Sequence, residues 1–577
     1  MPSDFFKGWQ VGFGSEVARI EQSELLEEGI HELRLDRKVD LQSETDLFTG
    51  EEAPVIGSRI LTQTGLENDF PEISLRLATT RGTNALLEKK GARMAFFVTQ
   101  GFGDLLHIRD QRRPDLFALN HQLPEPLYEV VCEVSERLDA DGNVLEPLSL
   151  SPELQAAISG MVEEGIEVAA VSLMHGYLND QHEKALAHLL RNSGFKHVSL
   201  SSELAPLIKL LPRAETTVVD AYLTPVMGDF LNRVSKVTSD LLVMTSAGGL
   251  EPESDFRPKD SLFSGPAGGV VGAAASAKLC GYEKLITFDM GGTSTDVARF
   301  NGDFAYQFQQ SIGATTLLSP SLRIETVAAG GGSICQWSQG GLRVGPESAG
   351  SSPGPACYGR GGPLTITDVN VLLGRVDPDN FGIPLGKESI AAAETRLLEL
   401  MQAMETEESR EEVLEGLLRI AVEQMADSIG TISIREGANP SEYALLAFGG
   451  AGPLHACAIA DRLGMSTILV PAEAGVLSAY GLHHAEVERF AERQILKSLA
   501  DCAEIEDWLS ELQDEASAKL GAESKVRRRI AELRLSGQEA PLDLEIGEPN
   551  QLPADFRAKY QTIFGYEPQP HQKIELV

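Results

Sequence analysis

The stretch LITFDMGGTSTDVARF, Leu285 to Phe300, constrains the chain more than any other. An apolar run ends at Asp289, two glycines and three hydroxyl residues follow, a second acid stands at Asp296, and the chain then turns apolar again. The segment after the glycines has β rather than helical character, so the unit reads as strand, tight turn, strand. A turn of that size with glycine at its tip brings backbone N–H groups close to an anion, which a Cβ would hinder. Acids at both strand ends suit a hydrated divalent cation, and Thr and Ser hydroxyls suit phosphate oxygens. A glycine turn capped by Asp is the plainer alternative. A Walker A loop is excluded, because the Gly-Lys pair Gly386-Lys387 has no glycine five positions before Gly386.

A second glycine cluster, LLAFGGAGPLHACAIADRLGM (Leu445–Met465), again follows a buried-type strand but leads into a helix. Gly449, Gly450 and Gly452 leave room for an adenosine against bare backbone, and the helix start offers free N–H groups. Together the two loops suggest an actin-like, sugar-kinase-like two-lobed ATPase of α/β class. Gly330, Gly331 and Gly332 in TVAAGGGSI form a further candidate anion nest, with an ordinary backbone turn as the alternative.

Elsewhere, strand–helix–strand alternation marks α/β layers with largely parallel pairing. Val168 to Met174 reads as a buried strand, His182 to Leu190 as an amphipathic helix and His197 to Leu200 as the next strand. ETTVVDAYLTPVMGDFLNRVSKV reads as one long helix that links two domains. Glu411 to Ile434 is another, with Val413, Leu414, Leu417, Leu418, Ala421 and Met425 on one face. The 577 residues are too many for one core. We expect an N-terminal lobe over 1–200, a core carrying both glycine loops over 201–487, and a small C-terminal domain over 488–577.

Net charge is −36, which argues against nucleic-acid or anionic-membrane partners. Six cysteines without a C-x-x-C pair fit a reducing, cytoplasmic setting, and no apolar run nears the ~20 residues that span a bilayer.

With these motifs in place, the chain resembles the hydantoinase A/oxoprolinase family, most closely its ATP-dependent 5-oxoprolinase type. The resemblance runs from about Leu75 to Gly547. It rests on TTRGTNALLEKKGAR, QRRPDLFAL, LMHGYLNDQHE, HVSLSSELAP, FSGPAGG, DMGGTSTDV, TVAAGGGSI, VGPESAGSSPGPACYGRGGPLTITDVNVLLGR and FGGAGPLHACAIA. It implies phosphorylation of an amide oxygen by ATP, followed by ring opening with water: 5-oxo-L-proline, ATP and water give L-glutamate, ADP and phosphate. An A subunit of a hydantoinase or of an acetone- or acetophenone-type carboxylase is one alternative, and a non-catalytic ATP-binding remnant another. Asp289 and Asp296 would then hold Mg²⁺ and face the phosphate, either of them orienting the attacking oxygen. Gly291, Gly292, Thr293, Ser294 and Thr295 would cradle phosphates, and Gly449, Gly450 and Gly452 would flank adenosine. Arg81 and Arg213 are candidate anion binders, with a structural arginine as the alternative for each. His455 is a candidate nucleotide contact or a structural histidine, and Glu325 and Asp368 are weaker acid candidates.

The family's first phosphate loop, D-x-G-G-T-F-T-D, has no counterpart before Ser74. The expectation is therefore a truncated frame or one piece of a split enzyme, working in an oligomer with a B-type half, fused or separate, on a small cyclic amide.

Overall fold

The computed structural model describes residues 1–13, 16–27, 30–38, 46–112, 124–313, 315–383, 385–435, 437–521 and 524–577. Most of the Gln111–Leu119 motif lies outside them. The chain has a mixed α/β fold in two compact units. One comprises Met1–Thr245, Leu250–Leu262 and Ser311–Leu318; the other Ser246–Gly249, Phe263–Gln310 and Ser319–Val577.

The first unit is centred on a parallel sheet in the order His197–Leu200, Val168–Ser172, Met94–Thr99, Val130–Val134. The two middle strands are buried along their whole length. That explains their uninterrupted apolar runs, since helices cover both faces of a parallel sheet. The helix Gln181–Ser193 buries Leu186, Ala187 and Leu190 against this sheet, and Gly194, at φ 113°, ends it. The long helix expected after Glu215 runs from Leu210 to Val234, within this unit.

The second unit holds a five-stranded sheet in the order Ile324–Val327, Thr295–Asn301, Lys284–Met290, Ala444–Phe448, Ile468–Leu469. Lys284–Met290 pairs antiparallel with Thr295–Asn301 and parallel with Ala444–Phe448. Alternate residues feed two cores. Ile286, Phe288, Met290, Leu445 and Ala447 join one that includes Val413, Leu414, Leu417, Ala421 and Met425 of the helix Arg410–Arg435. Leu285, Leu446 and Phe448 join the other, with Ala273, Ala277 and Leu477. Residues 502–576 carry a hydrophobic cluster of their own around an antiparallel sheet and the helix Leu552–Phe564.

The helices Ser264–Leu279 and Leu477–His484 meet backbone to backbone through glycine. A Cβ on Gly481 would overlap the carbonyl oxygen of Gly268, and one on Gly272 would overlap that of Leu477. Neither obstacle is a flexible side chain, so the helices themselves would have to separate. Gly481→Ala should therefore destabilise the protein by about 1–3 kcal/mol, despite the better helix propensity of Ala. Denaturant unfolding of the two proteins measures this, and an unchanged midpoint would show the crossing to be looser than described.

Candidate functional site

Asp289 and Asp296 face each other directly across the antiparallel pair, at the end that opens into the glycine turn. Opposed residues in such a pair have Cβ atoms about 4.5–5.5 Å apart, so two carboxylates share one small space. Thr326, opposite Asp296 on the next strand, donates its hydroxyl to Asp296 Oδ1 at 2.6 Å. The Asp289 carboxylate has neither a hydrogen bond nor an ion pair among the described residues; glycines flank it instead. A Cβ on Gly269 would stand 3.4 Å from its Oδ2, and a Cβ on Gly449 would collide with its Oδ1. Burial, and then the charge of Asp296, push the Asp289 carboxyl up to about 6. Burial also raises Asp296, opposed by the Thr326 hydroxyl. Two half-buried carboxylates, only Asp296 bonded to a hydroxyl, are an uncompensated pair that a divalent cation would satisfy. The described residues contain no cluster of three or more metal-ligating side chains. A pair of carboxylates is a donor set that suits Mg²⁺, which keeps waters and takes phosphate oxygens beside one or two carboxylates.

The turn itself is open. Gly291 N–H donates to Ser294 O at 3.1 Å, whereas the N–H groups of Gly292, Thr293 and Ser294 meet no acceptor among the described residues. Gly292 and Thr293 are exposed. Neither Gly291 nor Gly292 has a positive φ. An added Cβ would find open space at Gly292 and its nearest atom at 3.9 Å from Gly291. The fold thus does not require glycine at either position. Thr295 differs from its expected role: it is fully buried, and its hydroxyl donates to Ala329 O at 2.5 Å, so none is left for a phosphate.

Gly330, Gly331 and Gly332 buttress this turn and do not form a free nest. Their N–H groups donate to Ser333 Oγ at 2.9 Å, Gly291 O at 3.1 Å and Gly292 O at 2.6 Å respectively. A Cβ on Gly330 would stand 2.7 Å from Gly292 O, and one on Gly332 2.9 Å from it, so this pair of strands can approach only as glycine.

The second glycine loop reaches the same end of the sheet because Asp289 is in register with Phe448. Gly449 has φ 77° and donates to Ala474 O, while Ala451 N–H donates to Met290 O at 2.9 Å and ties the two turns together. Gly452 opens the helix Gly452–Leu463, its Cβ position 3.2 Å from Phe288 O. Gly450 is exposed with open space around it. The turn glycines therefore divide: Gly449 and Gly452 serve the fold, whereas Gly291, Gly292 and Gly450 face outward with room to spare.

His455 is wholly buried, 3.4 Å from Asn370 Nδ2, and burial together with Arg375 pushes its imidazole down to about 4. It is a neutral interior residue. Asp368 caps the helix Ile366–Leu372 and accepts from the N–H groups of Ala356 and Cys357. Glu325 is exposed on the edge strand, opposite Val297. Arg81 and Arg213 belong to the first unit. Arg81 pairs with Glu52 at 2.7 Å and lies over the Phe230 ring, so its charge is spent locally. Sequence reasoning missed Gly269 and Thr326. The first was visible as a glycine in FSGPAGG, the second as a polar residue on the neighbouring strand, but neither carried a sign of its partner.

The hydantoinase/oxoprolinase profile matches residues 213–490, and the profile of the hydantoinase/oxoprolinase N-terminal region matches residues 41–194. The chain is 41% identical over 486 residues to 5-oxoprolinase 1 of Arabidopsis thaliana, covering 76% of this chain and 38% of that protein. It thus spans about two fifths of the length of the curated 5-oxoprolinase it matches. An uncharacterized protein of Methanocaldococcus jannaschii is 33% identical, over 92% of this chain and 82% of its own length. The crystal structure of an ATP-dependent caprolactamase from Pseudomonas jessenii superposes with a TM-score of 0.79 at 25% identity, covering 98% of this chain and 86% of that one.

The carboxylate pair has a measurable cost. The folded state holds the Asp289 proton up to about pH 6, whereas an unfolded chain releases it near 3.8. Between those values the folded form binds more protons, so its stability falls as pH rises, and the full penalty is present above pH 6. Asp289→Asn should therefore raise the melting temperature above pH 6 in the absence of divalent cations, by an amount that shrinks to nothing near pH 4. Melting curves across pH 4–8 test this, and a variant less stable than wild type at pH 7.5 would contradict it.

Proposed function

We propose, because this chain belongs to the hydantoinase/oxoprolinase family, that it binds ATP and transfers the γ-phosphoryl group to a lactam. The reading favoured is the 5-oxoprolinase reaction: 5-oxo-L-proline, ATP and water yield L-glutamate, ADP and phosphate. One observation carries the phosphate assignment. The Gly291–Ser294 turn, exposed at Gly292 and Thr293, has unused N–H groups and glycines that the fold does not need, beside two carboxylates that lack a counter-ion among the described residues. Spare glycine beside spare donors is what close approach of a phosphate would require.

A lactam amide resists water because its carbonyl carbon is a poor electrophile. Moving a phosphoryl group onto the amide oxygen makes phosphate the leaving group. Water then adds at carbon, the ring C–N bond breaks with a proton going to nitrogen, and a second water hydrolyses the resulting acyl phosphate to the carboxylate and phosphate. In this scheme the N–H groups of Gly292, Thr293 and Ser294 hold phosphate oxygens. The hydroxyls of Thr293 and Ser294 add contacts, and Thr295 holds the hairpin. Asp289 and Asp296 would hold Mg²⁺, which when bound neutralises phosphate charge. Gly450 and the start of the Gly452–Leu463 helix lie at the same sheet end, open to the nucleoside. The reading implies an actin- and sugar-kinase-like ATPase fold, with this hairpin as one of its phosphate loops. It also implies a B-type half as the partner that completes the enzyme.

A neutral lactam is the second reading, favoured by the likeness to the caprolactamase over nearly the whole chain. The same hairpin would serve either substrate.

In the enzyme assembled with a B-type half, Asp289→Asn should lower lactam-dependent phosphate release by about 10²-fold or more, the scale of losing one electrostatic stabiliser. Gly292→Val and Gly450→Val should each weaken ATP–Mg²⁺ binding about 10-fold or more in calorimetric titration, with little change in melting temperature because the fold has space for both. Wild-type turnover in the Asn variant, or unaltered nucleotide affinity in both Val variants, would remove the assignment.

A further inference from the structure

The loops that leave the carboxyl ends of the parallel strands in the first unit gather polar groups unusually densely. Such ends form the ordinary ligand crevice of open α/β sheets. Thr99, at the end of Met94–Thr99, donates to Glu136 and accepts from Met174 N–H at 2.8 Å. Glu136, just beyond Val130–Val134, also meets His182 Nδ1 at 2.8 Å. Glu183 is fully buried, and its carboxylate is occupied by Leu173 N–H, Ser201 Oγ and Ser202 N–H at 2.6–2.9 Å. The loop Leu173–Tyr177 is thus pinned from two sides.

Against that loop lies Arg213, 1% exposed. Its Nη2 donates to Leu173 O at 2.5 Å, and the Tyr177 ring covers the guanidinium with its centroid 5.4 Å away. Its Nε and Nη1 have no acceptor among the described residues. The same is true of the buried hydroxyls of Ser172 and Ser202, each next in sequence to a residue that holds Glu183. Glu183 offers Arg213 charge at close range but no hydrogen bond, its oxygens being taken by other donors. Buried arginine nitrogens without acceptors are costly, and native proteins leave few such groups without a water, an ion or a ligand. What these nitrogens lack is an acceptor, and a negatively charged one suits a guanidinium best. A carboxylate matches the single charge of one guanidinium, whereas a phosphate would bring more.

We propose that Arg213, with the Leu173–Tyr177 loop, forms a carboxylate-binding site that holds the free carboxylate of a small cyclic amide, Tyr177 swinging aside to admit it. The proposal rests on the lactam reading above for the identity of the ring, and deepens it by making the substrate anionic. The bond from guanidinium to carboxylate is of the charge-assisted kind, so it separates 2-carboxylated lactams from neutral ones.

The test is calorimetric titration of the full chain with 5-oxo-L-proline and with 2-pyrrolidinone, the same ring without its carboxylate. Wild type should bind the acid at least 10-fold more tightly than the neutral lactam. Arg213→Met should abolish that preference, and Arg213→Lys should retain part of it. Because Met removes a buried cation with unused donors, the ligand-free Met variant should melt no lower than wild type. If the Met variant fails to fold, the Lys variant decides, since an undiminished preference there would show that the guanidinium is not the anchor. Absence of 5-oxoproline binding in wild type, equal affinity for both lactams, or an unchanged preference in Arg213→Met overturns the proposal. Titration with ATP–Mg²⁺ on the same samples separates the two ideas. Loss of nucleotide binding with the carboxylate preference intact would sink the phosphate hairpin and leave this site standing.

Discussion

The placement of Asp289 directly across from Asp296 is the interaction on which the rest of the second unit depends. Like charges opposed in a β-ladder destabilise it, and burial makes the repulsion worse. The ladder holds because the strand behind Asp289 is buried on both faces, feeding Ile286 and Phe288 to one core and Leu285 to the other. Slipping the register by one residue would separate the acids but would also turn every one of those side chains to the wrong core. The apolar alternation thus enforces a carboxylate pair that the local electrostatics oppose.

The same register brings the two glycine loops together. Asp289 is level with Phe448 on the parallel neighbour, so the turn after Met290 and the turn after Phe448 leave the sheet at the same edge. Ala451 N–H, donating to Met290 O, then joins them. Within this edge the glycines sort by physical demand. Gly269, Gly330, Gly332, Gly449 and Gly452 stand where a Cβ would press on backbone, an aromatic ring or the Asp289 carboxylate. Gly291, Gly292 and Gly450 have space for a side chain and ordinary φ angles, yet carry none. Glycine that the fold does not need is a stronger pointer to a ligand than glycine that it does.

Much of this was legible in the sequence, and the parts that were not share a cause. Val168–Ser172, His197–Leu200, the Arg410–Arg435 helix and the strand–turn–strand at Asp289 follow from periodicity and turn chemistry, which are local. The opposition of Asp289 and Asp296 follows once the turn length is right. What the sequence could not show was where hydrogen bonds go between segments far apart in the chain. Thr295 reads like its neighbours Thr293 and Ser294, but only Thr295 points inward to Ala329 O. Gly330–Gly332 reads as an anion nest, but Gly291 and Gly292 supply carbonyls that absorb two of its three N–H groups. Arg81 and Arg213 look equivalent in sequence, yet Glu52 satisfies one, and two nitrogens of the other find no acceptor among the described residues.

These contrasts give the unused groups their meaning. Among the described residues, the spare groups of the second unit include three backbone donors and two acids without a counter-ion, and those of the first include a guanidinium and two hydroxyls without a partner. The first set would be answered by a polyanion accompanied by a cation, because a polyanion alone would face two acids and a cation alone would leave the donors idle. The guanidinium of the second would be answered by a single anion. On the two proposals above, ATP–Mg²⁺ would answer the first set and a carboxylated lactam the second, since a lone carboxylate would face two acids at the hairpin. In both readings each ligand is inferred from what the local hydrogen bonding lacks, at groups that the fold leaves without a partner.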